Sequence, residues 1–221
     1  ITTRLVGSEM CIRDSTNTVV WASEDHGKSV LEKFYKQLTP EQLSSIKVVT
    51  GDGAKWITEC VNEYTPGCAR CVDPFHVVEW AMTALDEVRK DIWHDAYSEY
   101  KQVKKDNPRG KGRPKKDAPG LAIVKAAKAK ADEIKGSAYA LGKAPEHLSE
   151  KQQLRVNLIA SQNPRLYRAY LLKEQLRLLL KLTNVDEAED ELKRWLWKAS
   201  HSRIPAFKWV TVKSYAHISS N

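Results

Sequence analysis

The sequence predicts an α/β domain followed by a helical region, and two observations carry this. Between about Thr16 and Tyr100, short apolar runs rich in strand formers alternate with stretches whose apolar residues recur every three or four positions. That order favours a mostly parallel sheet with helices packed on it. Beyond Tyr100 the strand signals stop, a basic segment intervenes, and helical spacing continues to about Ser200. A chain of 221 residues with 42% hydrophobic content can bury one substantial core and carry an insertion.

The elements follow in order. Val19-Val20-Trp21-Ala22 reads as a strand after the turn Thr16-Asn17-Thr18, and Asp25-His26-Gly27 breaks it. Val30, Leu31, Phe34 and Leu38 have helical spacing that stops near Pro40. Ile46 to Thr50 reads as a buried strand closed by Gly51-Asp52-Gly53, and Trp56, Ile57, Cys60, Val61 and Tyr64 as a helix ending at Pro66-Gly67. The run Ala69 to Val72 is the third strand, and a long helix follows it. Residues 101–120 hold eight basic residues against two acids, with three prolines and three glycines, and are expected to be a basic linker without regular structure. Helices are expected over Leu121 to Ile134, Glu150 to Ile159, Leu166 to Leu182 and Val185 to Ser200. Residues 1–15 stand apart. LVGSEMCIRDS, residues 5–15, shows neither helical nor strand periodicity and resembles the translation of sequencing-adaptor DNA. The expectation is an artefact in which Cys11 and Asp14 have no role, with the natural chain entering near Thr16.

Charge points to a partner. Lys and Arg outnumber Asp and Glu by 36 to 28, giving a formal charge of +8 and a pI near 9.2, which favours contact with a polyanion. No run of 18 or more apolar residues is present, and no basic-then-apolar leader, so a soluble cytoplasmic protein without membrane contact is expected. Cys60, Cys68 and Cys71 fall in expected core elements, which argues against a disulfide framework. A zinc reading of Cys68, Cys71 and His76 lacks a fourth ligand at suitable spacing.

Two acids carry the candidate chemistry. Asp52 follows an apolar strand between two glycines, and functional groups in parallel α/β sheets gather at the carboxyl ends of strands. Its carboxylate is a hard oxygen ligand suited to Mg²⁺. Asp73 precedes Pro74 at the mouth of a helix, where an acidic N-cap is a sufficient explanation, and His76 alone fits a histidine in a first helical turn. If both acids end successive strands of one sheet, their side chains stand near each other and support a metal site.

VVTGDGAKW, then CVDPFHVVEWAMTALDEVRK, and later PRLYRAYLLKEQLRLLLKL and RWLWKASHSRIPAF, resemble the DDE transposases of bacterial insertion sequences, in the ISL-three group, from about Thr18 to Phe207. The resemblance implies a partial ribonuclease-H-like sheet over residues 16–100, a helical insertion region over 121–207, and a divergent tail over 208–221. It also implies three acids holding two Mg²⁺ or Mn²⁺ ions, which would cleave and transfer DNA strands. By position, Asp52 matches the second acid, and Asp73 with His76 match an acid-x-x-His motif that shapes the site. The first acid falls where only the suspect leader stands, Asp25 is misplaced to substitute, and the final Glu lies beyond the segment that follows the family pattern. The parent is thus expected to be an enzyme acting on element ends and target DNA, as a homo-oligomer in a transposition complex, and the chain as written to be inactive. The alternatives are a noncatalytic DNA-binding remnant and, more distantly, a nuclease of the same fold.

Within the linker, Arg109, Lys111, Arg113, Lys115 and Lys116 surround Gly112 and Pro114 in a pattern resembling an AT-hook, and DNA phosphate is the expected contact. Trp195 and Trp197, two apart on one helix, cannot share a face, so one is expected in the core and the other against the sheet or DNA. Tyr167, Arg168 and Tyr170 are further candidates for DNA contact.

Overall fold

The computed structural model describes residues 2–6, 9–108 and 120–218. Their contacts divide the chain into two compact units, residues 1–79 with 212–221, and residues 80–211.

The first unit is built on five strands: β1 (Thr2–Val6), β2 (Glu9–Arg13), β3 (Val19–Ser23), β4 (Val48–Gly51) and β5 (Ala69–Val72). They form one sheet in the order β3-β2-β1-β4-β5, antiparallel from β3 through β1 and parallel from β1 through β5. The helices α1 (Lys28–Tyr35), α2 (Pro40–Ser45) and α3 (Lys55–Tyr64) connect the later strands. Val30, Leu31 and Phe34 of α1 meet Ile57, Cys60 and Val61 of α3 in a core that also holds Met10, Ile12 and Val49 from the sheet. Tyr35 stacks on Tyr64 with ring centroids 5.2 Å apart, and burial pushes its hydroxyl pKa up to about 12.

The leader departs from expectation. Residues 2–6 and 9–13 are the two central antiparallel strands, and Met10 and Ile12 are fully buried. Alternate residues of β2 point inward, a period-two pattern that only two apolar side chains signal in the sequence. Asp14 also has a role. Its carboxylate accepts hydrogen bonds from the Thr16 and Thr18 backbone and the Thr16 hydroxyl, closing the β2–β3 turn in which Asn17 takes a left-handed φ of 65°. Of these contacts, the Thr16 hydroxyl does most to hold the Asp14 pKa below the usual carboxylate value. Of the mostly parallel sheet expected, β1, β4 and β5 pair in parallel, whereas β1 with β2 and β2 with β3 are antiparallel.

The second unit is helical: most of α4 (Pro74–Asp106), then α5 (Leu121–Gly136), α6 (Ala138–Gly142), a 3₁₀ turn (Pro145–His147), α7 (Glu150–Gln162), α8 (Pro164–Leu179), α9 (Val185–Ser200) and the first half of α10 (Pro205–Ile218). Residues 101–106, expected in the linker, continue α4, because their lysines are good helix formers and no proline intervenes before Pro108. Residues 208–218, expected as a divergent tail, extend α10. The leucine-rich run from Leu176 to Leu182 is only partly core: Leu176 and Leu179 are buried, Leu178 is exposed, and α8 ends at Leu179. Here burial of polar groups replaces some apolar packing. Lys173 and Glu174 are buried and paired, Arg177 bonds Glu174 at 2.9 Å, and Arg177 also holds Glu146 in a two-pronged pair at 2.9 and 3.0 Å.

Candidate functional site

Strand register places the acids. In the parallel pairing of β4 with β5, Val48 faces Ala69 and Gly51 faces Val72, so the next residues, Asp52 and Asp73, leave neighbouring strands at the same carboxyl end. The Asp73 N–H donates to the Gly51 carbonyl at 2.7 Å, extending the ladder by one bond. Both acids are partly exposed. The juxtaposition predicted from the sequence is present at the level of the backbone.

Each carboxylate also has a local task. Asp52 Oδ1 accepts the Ala54 N–H at 2.7 Å, in the turn that leads into α3. Asp73 Oδ1 accepts the Phe75 N–H at 2.9 Å, so the cap expected at the mouth of α4 is present. His76 turns toward its own helix, with Nδ1 3.2 Å from Glu79 Oε2, one turn away. Phe75 packs edge-on against the His76 ring at 5.6 Å and is otherwise exposed.

A residue that the sequence reading missed lies beneath them. Arg70 of β5 is 5% exposed, and its guanidinium donates to the carbonyls of Val49, Cys71 and Asp52. Its Nε has no hydrogen-bond partner. Burial lowers the Arg70 pKa from its ordinary value, and the negative charge of Asp52 is the largest effect opposing it. An arginine inside a four-residue strand was the available signal, since a charge there must be buried or break the pattern.

Donor chemistry at this end of the sheet is sparse. Asp52 and Asp73 each use one oxygen on a neighbouring N–H, and among the described residues no three or more His, Cys, Asp or Glu side chains gather as a metal-holding group. The five residues of β1, the strand beside β4, include no acid. The side chains present therefore do not by themselves fit a two-ion site. The zinc reading gains no fit either, because Cys68 is buried and Cys71, contrary to the expected core position, is exposed.

The other candidates separate. Arg109, Lys111, Arg113, Lys115 and Lys116 lie outside the described residues. Trp195 is in the core, its indole N–H donating to the Leu172 carbonyl at 2.8 Å, whereas Trp197 is 64% exposed. Tyr170 is buried against Lys173, whereas Arg168 is exposed and donates to the Ser202 carbonyl at 3.1 Å. A cavity of about 420 Å³ in the helical unit is lined by Glu87, Asp91, His94 and Arg165, none of them a predicted site residue. Among the described residues, no helix is long and apolar enough to cross a membrane.

The comparisons agree with the sequence motifs. The model of the DDE transposase family of the ISL3 group, described as "Transposase", matches residues 3–218. Two curated relatives, the transposases for insertion sequence element IS1557 from two strains of Mycobacterium tuberculosis, are each 39% identical over 200 residues. The matches cover 90% of this chain but only 43% of each relative. No solved structure gives a significant match. The chain belongs to the ISL3 group of DDE transposases.

Proposed function

We propose that this member of the ISL3 transposase family is the part of a DNA-transposing enzyme that carries its second catalytic acid, Asp52, on a ribonuclease-H-like sheet. The observation that carries the reading is the placement of Asp52 at the carboxyl end of β4, next to β1 in the order β3-β2-β1-β4-β5. Three antiparallel strands followed by two parallel ones, with acids at the shared end, support a sheet on which carboxylates from neighbouring strands converge. Asp73 and His76 then support the wall of the site rather than the reaction. In the whole enzyme, an acid on a strand in the place β1 takes here and a Glu from a helix beyond Phe207 would complete a set that holds two Mg²⁺ or Mn²⁺ ions. Those ions would supply a nucleophile and stabilise the leaving oxygen during cleavage and strand transfer. This chain's own groups do simpler things: Arg70 fixes the backbone of Asp52, and the Ala54 N–H orients its carboxylate.

A second reading has its own support, because β1 lacks an acid and the donor set is incomplete. On that reading the polypeptide as written binds DNA through its basic segments without cutting it. Partners are then element ends and target DNA, with further copies of the chain in a cytoplasmic transposition complex.

One experiment tests both. The purified chain is incubated with labelled duplex DNA at low salt, with and without Mg²⁺ or Mn²⁺. Salt-sensitive binding without cleavage is expected. Metal-dependent cleavage that Asp52→Asn abolishes would overturn the inactivity and keep the assignment of Asp52. Absence of binding at low salt would sink the DNA-handling reading.

A further inference from the structure

The C-terminal end of α9 and the turn after it present an aromatic surface that neither the core nor the acid site uses. Trp197 is 64% exposed, although tryptophans are highly buried on average. Its ring stacks on His201 with centroids 4.7 Å apart and planes within 24°. The imidazole is itself fixed, with Nδ1 2.8 Å from the Trp197 carbonyl and 3.1 Å from the Ser200 hydroxyl. His201 thus backs one face of the indole and leaves the rest open.

The turn is rigid as well. The buried Ser202 hydroxyl donates to the Ala199 carbonyl at 2.7 Å, and the Ser202 carbonyl accepts from Arg168 at 3.1 Å. Arg203 follows in the left-handed region at φ 60°, uncommon for a residue other than glycine. It is exposed and holds no ion pair among the described residues. Lys193 and Arg194 stand one turn before Trp197 on the same face. Their pairs with Glu189 at 2.6 Å and Glu191 at 3.0 Å are exposed surface pairs, which phosphate can displace.

We propose that Trp197, backed by His201, with Arg194 one turn before it and Arg203 in the turn that follows the helix, is a stacking platform for an unpaired DNA base. Every base has a π-face, so an open indole accepts one without reading sequence, while cations beside it meet phosphates of the same strand. A continuous duplex hides its base faces, so the platform selects single-stranded or unpaired ends. The inference rests on the DNA-handling reading above and adds the form of DNA that the helical unit takes.

The test uses the full chain, a labelled single-stranded oligonucleotide and the matching duplex, with affinities from fluorescence anisotropy. Trp197→Ala is expected to weaken single-strand binding by roughly 5- to 100-fold and duplex binding by less than about twofold. Trp197→Phe keeps a π-face and retains most of the affinity, whereas Trp197→Leu behaves like alanine. Arg203→Ala weakens both forms and lowers the salt slope by about one. Circular dichroism checks that each variant is folded, and the Phe and Leu pair carries the test alone if the alanine variant is not. Equal single-strand binding by wild type and Trp197→Ala, or by the Phe and Leu variants, overturns the platform while DNA handling stands. An equal loss on single strand and duplex also overturns it. A wild-type chain that binds neither DNA overturns the platform together with the DNA-handling reading.

Discussion

Replacing Asp73 separates what its carboxylate does for the fold from what it does for chemistry. Oδ1 accepts the Phe75 N–H at 2.9 Å at the start of the 33-residue α4, and the charge lies at the positive end of that helix. Asp73→Ala removes the acceptor, worth about 1 kcal/mol, and the charge, worth roughly 0.3–1 kcal/mol, for an expected loss near 1.5 kcal/mol. Asp73→Asn keeps an acceptor oxygen and loses only the charge, so its cost is about 0.5 kcal/mol. The backbone bond from Asp73 N–H to Gly51 survives in both. For a chain of this size, each kcal/mol moves the melting midpoint by about 2–4 °C, so alanine should lower it by roughly 3–6 °C and asparagine by 1–2 °C. Urea denaturation gives the free energies directly. In a full-length relative, the asparagine variant should still lose strand cleavage if the charge shapes the site. Equal stability of both variants with wild type would refute the cap, and wild-type cleavage by the asparagine variant would reduce Asp73 to a cap alone.

Further predictions address the rest of the fold. Ile12→Ala removes a fully buried side chain from the sheet core and should cost about 2–4 kcal/mol in urea denaturation, whereas a leader lying outside the fold would cost nothing. Glu174→Ala leaves the Lys173 ammonium, 1% exposed, with the Lys143 carbonyl at 3.2 Å as its remaining hydrogen-bond acceptor, and should cost about 3–5 kcal/mol. Lys173→Met removes the buried charge and leaves Glu174 paired with Arg177, so its cost should be far smaller; equal losses would contradict the network. Burial holds the Lys173 pKa below its ordinary 10.5 despite the bond to Glu174. The unfolded chain therefore binds more protons in that window, and stability rises with pH between the folded pKa and 10.5. Tyr35, raised to about 12, slopes the other way above pH 10, so the difference between wild type and Lys173→Met across the alkaline range isolates the lysine.

The helices and the later strands were legible because their signals are local. Helical spacing marked α1, α3 and α9 closely, and β4 and β5 were visible as short apolar runs before Gly51-Asp52-Gly53 and before Asp73. Strand pairing is not local, and there the reading failed. β1 and β2 are five residues each, too short for a strand period to stand out in the sequence. Their pairing with β4 and β3 is what reveals Met10 and Ile12 as core. The candidate site was legible to the same degree. Asp52 and Asp73 could be named from flanking Gly and Pro, but only the β4–β5 register shows that they leave the sheet side by side.

Arg70 explains why that register matters to the acids. A buried guanidinium without a carboxylate partner carries a desolvation cost of several kcal/mol, and three carbonyl acceptors offset only part of it. Those carbonyls belong to Val49 and Asp52 on one strand exit and Cys71 on the other, so the guanidinium ties both exits together. A methionine there would fill the same space without the charge, but it would free the Asp52 backbone and withdraw the positive potential beside its carboxylate. The sheet alone does not require an arginine at this position. Its bond to the Asp52 carbonyl holds the backbone at the end of β4, which groups Arg70 with the candidate site as well as with the core.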